Sequence, residues 1–150
     1  MATIREVHCK SKKCGHKRPV GPLLDFLLNV ANDRKETCHK CNGPVRTYLK
    51  FDFGLDGSDS ACDLLDCFHP NPLESWIDQK GNRVTFYPFL VILERHNRKQ
   101  AAWLPYWHIV EDVKGKRKTK YGQWAPFMDL SLFQDLLKQA QAKGYLGKFR

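Results

Sequence analysis

A chain of 150 residues, 42% hydrophobic and 12% aromatic, has apolar material for one ordinary domain plus a small module, which excludes a disordered polymer. No apolar run approaches the roughly 18 residues a membrane span needs, so no membrane-spanning helix is expected and a cytoplasmic protein is the expectation. The formal net charge of +9 is uneven, +7 over residues 1–50, −3 over 51–100 and +5 over 101–150, a polarity that calls for a polyanionic or acidic partner.

The first feature in chain order is a pair of cysteine knuckles, Cys9-Lys10-Ser11-Lys12-Lys13-Cys14 and Cys38-His39-Lys40-Cys41, with Gly15 and Gly43 close behind them. Each spacing lets one turn aim two sulfurs at a single ion. Met1 to Val7 carries no apolar leader, so the six cysteines are read in a reducing setting, where thiolate–metal ligation is favoured over disulfides. Four thiolates around Zn²⁺ close a tetrahedral site with no open position, which makes the expected role structural. His8, His16 and His39 flank the knuckles, but the symmetrical set Cys9, Cys14, Cys38 and Cys41 is the simpler ligand choice. Lys10, Lys12, Lys13, Lys17 and Arg18 gather around the first knuckle, and Lys10, Lys12, Lys13 and Lys40 would offset the charge of the thiolates.

Between the knuckles, Leu23 to Val30 follows helical spacing (Leu23, Leu27, Val30; Leu24, Leu28) and reads as a short amphipathic helix ended by Asn32-Asp33. The two knuckles resemble those of zinc-ribbon and treble-clef modules over Cys9 to Gly43. That resemblance implies a zinc-stabilised unit of a kind often found in nucleic-acid-associated proteins. The chain departs from the usual ribbon in the wider first knuckle and in the intervening helix.

Val45 to Phe53 alternates and predicts a half-buried strand, with Val45, Thr47, Leu49, Phe51 and Phe53 on one face. A turn-rich loop follows at Gly54 to Ser60. Cys62 and Cys67 also sit five positions apart, but a strand places them on opposite faces and no turn residue lies between them, so buried free thiols are expected. Gln79-Lys80-Gly81-Asn82 predicts a hairpin turn, Val84 to Glu94 a strand with a bulge or strand start at Pro88, and Ala101 to Glu111 its partner. Lys114, Lys116, Arg117, Lys118 and Lys120 form a basic loop. The last segment predicts a helix capped by Asp129 or Ser131, with an apolar stripe of Phe133, Leu136, Leu137 and Ala140 and a stop at Gly144.

These readings give an α+β protein: a four-cysteine zinc module over residues 1–46, then a compact antiparallel-sheet body with a C-terminal helix over 47–150. Aromatics beside cations are the components of a nucleic-acid groove, bases on the rings and phosphates on the lysines. The expected partner is therefore DNA or RNA, held by the two basic clusters and by Trp107 and Trp124, the tryptophans expected nearest the surface. Two alternatives remain: an adaptor docking an acidic protein, and a small metal-dependent nuclease using Asp52 or Glu94. The second is disfavoured because the acidic residues are dispersed and no lysine stands at the neighbouring alternate position. No catalytic residues are assigned.

Overall fold

The computed structural model describes residues 2–51, 61–122 and 127–143. Among the described residues, eleven strands and two helices follow in the order β1 (Ala2–Cys9), β2 (Lys17–Pro19), α1 (Leu23–Ala31), β3 (Val45–Phe51), β4 (Ala61–Phe68), β5 (Glu74–Ile77), β6 (Arg83–Pro88), β7 (Leu90–Arg95), β8 (Gln100–Trp103), β9 (Tyr106–Glu111), β10 (Arg117–Tyr121), β11 (Phe127–Asp129) and α2 (Leu130–Ala142). All pairings among the described residues are antiparallel. Seven strands make one sheet in the order β11-β8-β7-β4-β3-β1-β2, and four make a second in the order β10-β9-β6-β5.

Helix α1 forms where the apolar periodicity places it. Pro22 precedes it with its ring-fixed φ, Asp25 puts a carboxylate in the first turn near the positive end of the helix dipole, and Leu23, Leu24, Phe26 and Leu27 are buried. Asn32 ends it by donating Nδ2 to the Leu28 carbonyl at 2.7 Å, and Asp33 turns the chain away at φ 55°. These residues share one core with Val7 of β1, Leu49 and Phe51 of β3, Cys62 and Cys67 of β4, Val91 and Leu93 of β7, and Ala101 and Trp103 of β8. Strand β1 pairs with β3 from Ala2↔Phe51 to Cys9↔Val45, so the cysteine region enters the same sheet as the body.

The run from Val84 to Glu94 is two strands rather than one. The chain leaves the four-stranded sheet at Pro88, turns at Phe89 and enters the seven-stranded sheet at Leu90; the partner run crosses back at Leu104 and Pro105. Pro88 has no N–H for a continued ladder, and Pro105 stands opposite the same corner. There the Phe89 N–H donates to the Pro105 carbonyl at 2.9 Å, and the Phe89 ring meets Trp107 edge-on with centroids 5.5 Å apart. The two sheets are thus joined at a double corner filled with aromatic side chains.

In β4, both cysteines face inward, against the expectation that a strand separates them. Leu64 pairs with Leu93 and Asp66 with Ile92, so two β4 steps match one β7 step and Leu65 is the extra residue, 46% exposed. The bulge resets the alternation, and Cys62 and Cys67 both reach the core as the expected buried thiols. Burial, with the Asp66 carboxylate adding to it, pushes the Cys67 thiol up to about 12. The predicted Gln79–Asn82 hairpin joins β5 and β6. The basic stretch differs from the predicted loop: Asp112 to Lys116 is a turn, and Arg117–Tyr121 is the edge strand β10. Helix α2 packs on β8 and β11, with Phe133 and Leu137 half-buried. It begins at Leu130, which puts Asp129 at the position before the first helical residue and Ser131 inside the first turn. Gly144 and the Gly54–Ser60 segment lie outside the described residues.

Candidate metal centre and basic and aromatic surfaces

The first knuckle occupies the turn between β1 and β2, and the second lies between Thr37 and Pro44, which form an isolated antiparallel bridge. Within the first, the N–H groups of Cys14 and Gly15 both donate to the Ser11 carbonyl, each at 3.1 Å, and Gly15 takes φ +57°. In the second, Asn42 supplies the positive φ of 55°. Gly43 serves a different purpose: a Cβ there would lie 3.2 Å from the Cys41 sulfur. The Lys10 N–H donates to the Pro44 carbonyl at 2.9 Å, tying one knuckle to the other.

This arrangement brings Cys9, Cys14, Cys38 and Cys41 together, with all four Sγ atoms within 4.8 Å of one another. Cys9 and Cys41 sulfurs are 3.5 Å apart and those of Cys14 and Cys38 are 3.7 Å apart. A disulfide requires about 2.05 Å. A tetrahedron with metal–sulfur bonds of about 2.3 Å has edges of about 3.8 Å, and the observed separations fit it. Backbone N–H groups point at the sulfurs: Ser11 to Cys9, His16 to Cys14, and Lys40 and Cys41 to Cys38. For Cys38, burial acts upward, but those amides and the neighbouring sulfurs outweigh it and pull the thiol down to about 6. Burial, with Cys41, Cys38 and Cys14 adding to it, pushes Cys9 up to about 12 against the Ser11 amide. For Cys14 the His16 amide acts downward, yet burial and the Cys38 and Cys41 sulfurs leave it raised. Four crowded thiols share their protons unequally, and a cation held by these four sulfurs would replace those protons. Among the described residues no histidine joins the cluster. His8 is buried, with Nε2 2.7 Å from Glu6 Oε2 and its ring stacked on Tyr48 at 5.2 Å.

The basic residues divide by type. Arg18 is paired with Glu36, and Arg117 Nε donates to Glu111 Oε2 across the ladder at 2.7 Å. Lys10, Lys12, Lys13, Lys17, Lys114, Lys116, Lys118 and Lys120 are all exposed and have no acidic partner among the described residues. Of the two tryptophans expected nearest the surface, Trp107 corrects that expectation. It is 5% exposed, its ring edge-on to Phe89 and 5.2 Å from Tyr121, because β9 turns this side toward the core at the sheet corner. Trp124 lies outside the described residues, as does Asp52. Glu94 stands opposite Asp63 across β4 and β7, each held by an arginine: Arg98 to Glu94 at 3.4 Å and Arg46 to Asp63 at 3.2 Å. Both pairs line a cleft of about 650 Å³ between α1 and β3–β4, so its acids and bases answer one another.

The outer face of the four-stranded sheet carries a cluster that the sequence pattern alone does not single out. Across the strands, Glu74, Phe86, His108 and Lys120 form one row, and Trp76, Val84, Val110 and Lys118 the next. Trp76 and Phe86 both approach His108, at 5.9 and 5.2 Å between centroids, and Tyr106 approaches Phe86 and His108 at 5.6 and 5.7 Å. The signal is present in the sequence as alternation, in Glu74/Trp76, Val84/Phe86 and Tyr106/His108/Val110. It acquires meaning only when the pairing puts those alternations on one face. Gly122 belongs to the same assembly: the Tyr106 ring lies over it, and its N–H donates to the Tyr106 carbonyl at 2.8 Å.

Comparison of the chain with protein-family models, with curated proteins and with solved structures returns no match. Among the described residues, no helix is long and apolar enough to cross a membrane.

Proposed function

We propose that this is a zinc-stabilised nucleic-acid-binding protein whose exposed lysines hold phosphates. Zinc is the metal that four thiolates in a closed tetrahedron suit best, and such a centre contributes folding free energy while leaving no position for a substrate. The paired turns, with knuckle tied to knuckle through Lys10 and Pro44, support the zinc-ribbon reading of this part of the chain. Thiolate ligation and two buried thiols suit the reducing cytoplasm.

The observation that carries the nucleic-acid reading is the division of labour among the cations. Arg18 and Arg117 are each paired with a carboxylate of the protein, Arg117 at the surface, while eight lysines in two clusters stand exposed without acidic partners among the described residues. Lysine at an edge strand also discourages strand addition between molecules, so the test must separate the two roles. Neutralising Lys116, Lys118 and Lys120 together to glutamine should weaken binding to unrelated oligonucleotides alike. The salt slope should flatten by about 0.7–0.9 for each phosphate no longer neutralised, with little change in melting temperature. Unchanged affinity and slope, with new self-association, would assign those lysines to edge protection. Absence of salt-dependent binding to any DNA or RNA by the wild-type protein would refute the nucleic-acid reading outright.

A further inference from the structure

We infer that the outer face of the four-stranded sheet is a stacking platform for the unpaired bases of a single-stranded nucleic acid, a proposal that rests on the reading above and narrows its ligand. On the inner face of this sheet Tyr87, Ile109, Tyr121 and Trp107 pack on the core or belong to it, while Ser75 and Ile77 at the β5 edge are exposed. On the outer face Val84 is buried, while Glu74, Trp76, Lys118 and Lys120 around it are exposed. Trp76 is 41% exposed, and a shallow cavity of about 470 Å³ opens among Glu74, Trp76, Phe86 and His108. The Trp76 ring meets His108 edge-on, and His108 is itself flanked by Phe86 and Tyr106, so part of the surface a ligand meets is already packed.

Charge complementarity selects the occupant. Lys118 and Lys120 project from β10 on this same face, in register with Val110 and His108. The only carboxylate in these two rows is Glu74 on β5, at the opposite edge, about 14 Å away across three strand spacings. A strand lying on this face would place its phosphates along β10 and its bases toward Trp76 and Phe86. Glu74 repels phosphate from the far rim and offers an acceptor to an exocyclic amino group of a base. A duplex cannot use such a platform, because its base faces are already stacked on one another and only groove edges and backbone are presented.

The test uses the full chain with zinc bound and fluorescent 12-nucleotide single strands of mixed sequence, as RNA and as DNA, alongside the corresponding duplexes. Single strands should bind more tightly than duplexes. Trp76→Ala should weaken single-strand binding about 5- to 150-fold, the range expected for one missing base stack, while duplex affinity and melting temperature stay the same. Trp76→Phe keeps a ring and should recover most of the affinity even if the alanine variant folds poorly. Weakened binding in either the RNA or the DNA arm supports the platform. Wild-type affinity in Trp76→Ala, with binding still lowered by the triple lysine variant, overturns the platform but leaves the basic surface standing. The platform is equally overturned if the wild type is a dimer that Trp76→Ala converts to a monomer without loss of affinity, since the face would then join two copies of the chain.

Discussion

Gly122→Ala should destabilise this protein for a reason that is steric and local. A methyl group at that position would lie 2.1 Å from both Cε2 and Cζ of Tyr106 and 2.5 Å from Cδ2, whereas ordinary carbon contacts are about 3.5–4.0 Å. Relief requires the ring to retreat by about 1.5 Å. It cannot do so freely, because Phe86 and His108 sit against it and the Gly122 N–H holds the Tyr106 backbone at 2.8 Å. Overpacking of this kind costs about 1–3 kcal/mol. At about 2–4 °C per kcal/mol for a chain of this size, the melting temperature should fall by about 2–12 °C. Thermal unfolding followed by circular dichroism at constant zinc measures it. The sharper assay is a double-mutant cycle with Tyr106→Ala: once the ring is gone, adding the methyl should cost nothing, and its restriction of the unfolded chain should make it slightly stabilising. An unchanged melting temperature in the single variant, or strict additivity in the double, would show that the Tyr106 ring is not what requires glycine there.

Two further outcomes follow from the metal centre and from a turn. Protein prepared without chelator should carry one zinc per chain by elemental analysis. Cys38→Ser should lose it together with the folded structure, since structural zinc contributes about 10–16 kcal/mol in small modules, whereas Cys62→Ala should keep full metal content. Asp78 caps the β5–β6 turn, Oδ1 accepting from the Lys80 and Asn82 amides at 2.8 and 2.9 Å and Oδ2 from Asn82 Nδ2 at 3.0 Å. The Asn82 amide, then the Asn82 side chain, hold its carboxyl below the ordinary value of 3.8. A depressed folded value means that the carboxylate's stabilisation is complete above the unfolded pKa and is lost as pH falls through the folded one. The advantage of wild type over Asp78→Asn in urea denaturation should therefore be present at neutral pH and vanish in acid; an advantage that grew on acidification would contradict this account.

What the sequence determined by itself was local. The knuckles are legible because two cysteines within one turn have few geometries open to them, and α1 because a 3.6-residue periodicity needs no distant partner to be recognised. The alternation of Val45 to Phe51 likewise marks a strand whose inner face, Thr47, Leu49 and Phe51, is buried. Tertiary structure decided whatever depends on which strand pairs with which. The Leu65 bulge, which turns Cys62 and Cys67 to the same side, exists only against the register of β7. The division of Val84 to Glu94 between two sheets depends on the corner that Pro88 and Pro105 make together, and that corner buries Trp107. The engagement of Arg117 by Glu111 and the gathering of Trp76, Phe86, Tyr106 and His108 on one face are products of cross-strand register. Side-chain alternation tells which residues share a face of their own strand; only hydrogen-bonded pairing tells what stands beside them.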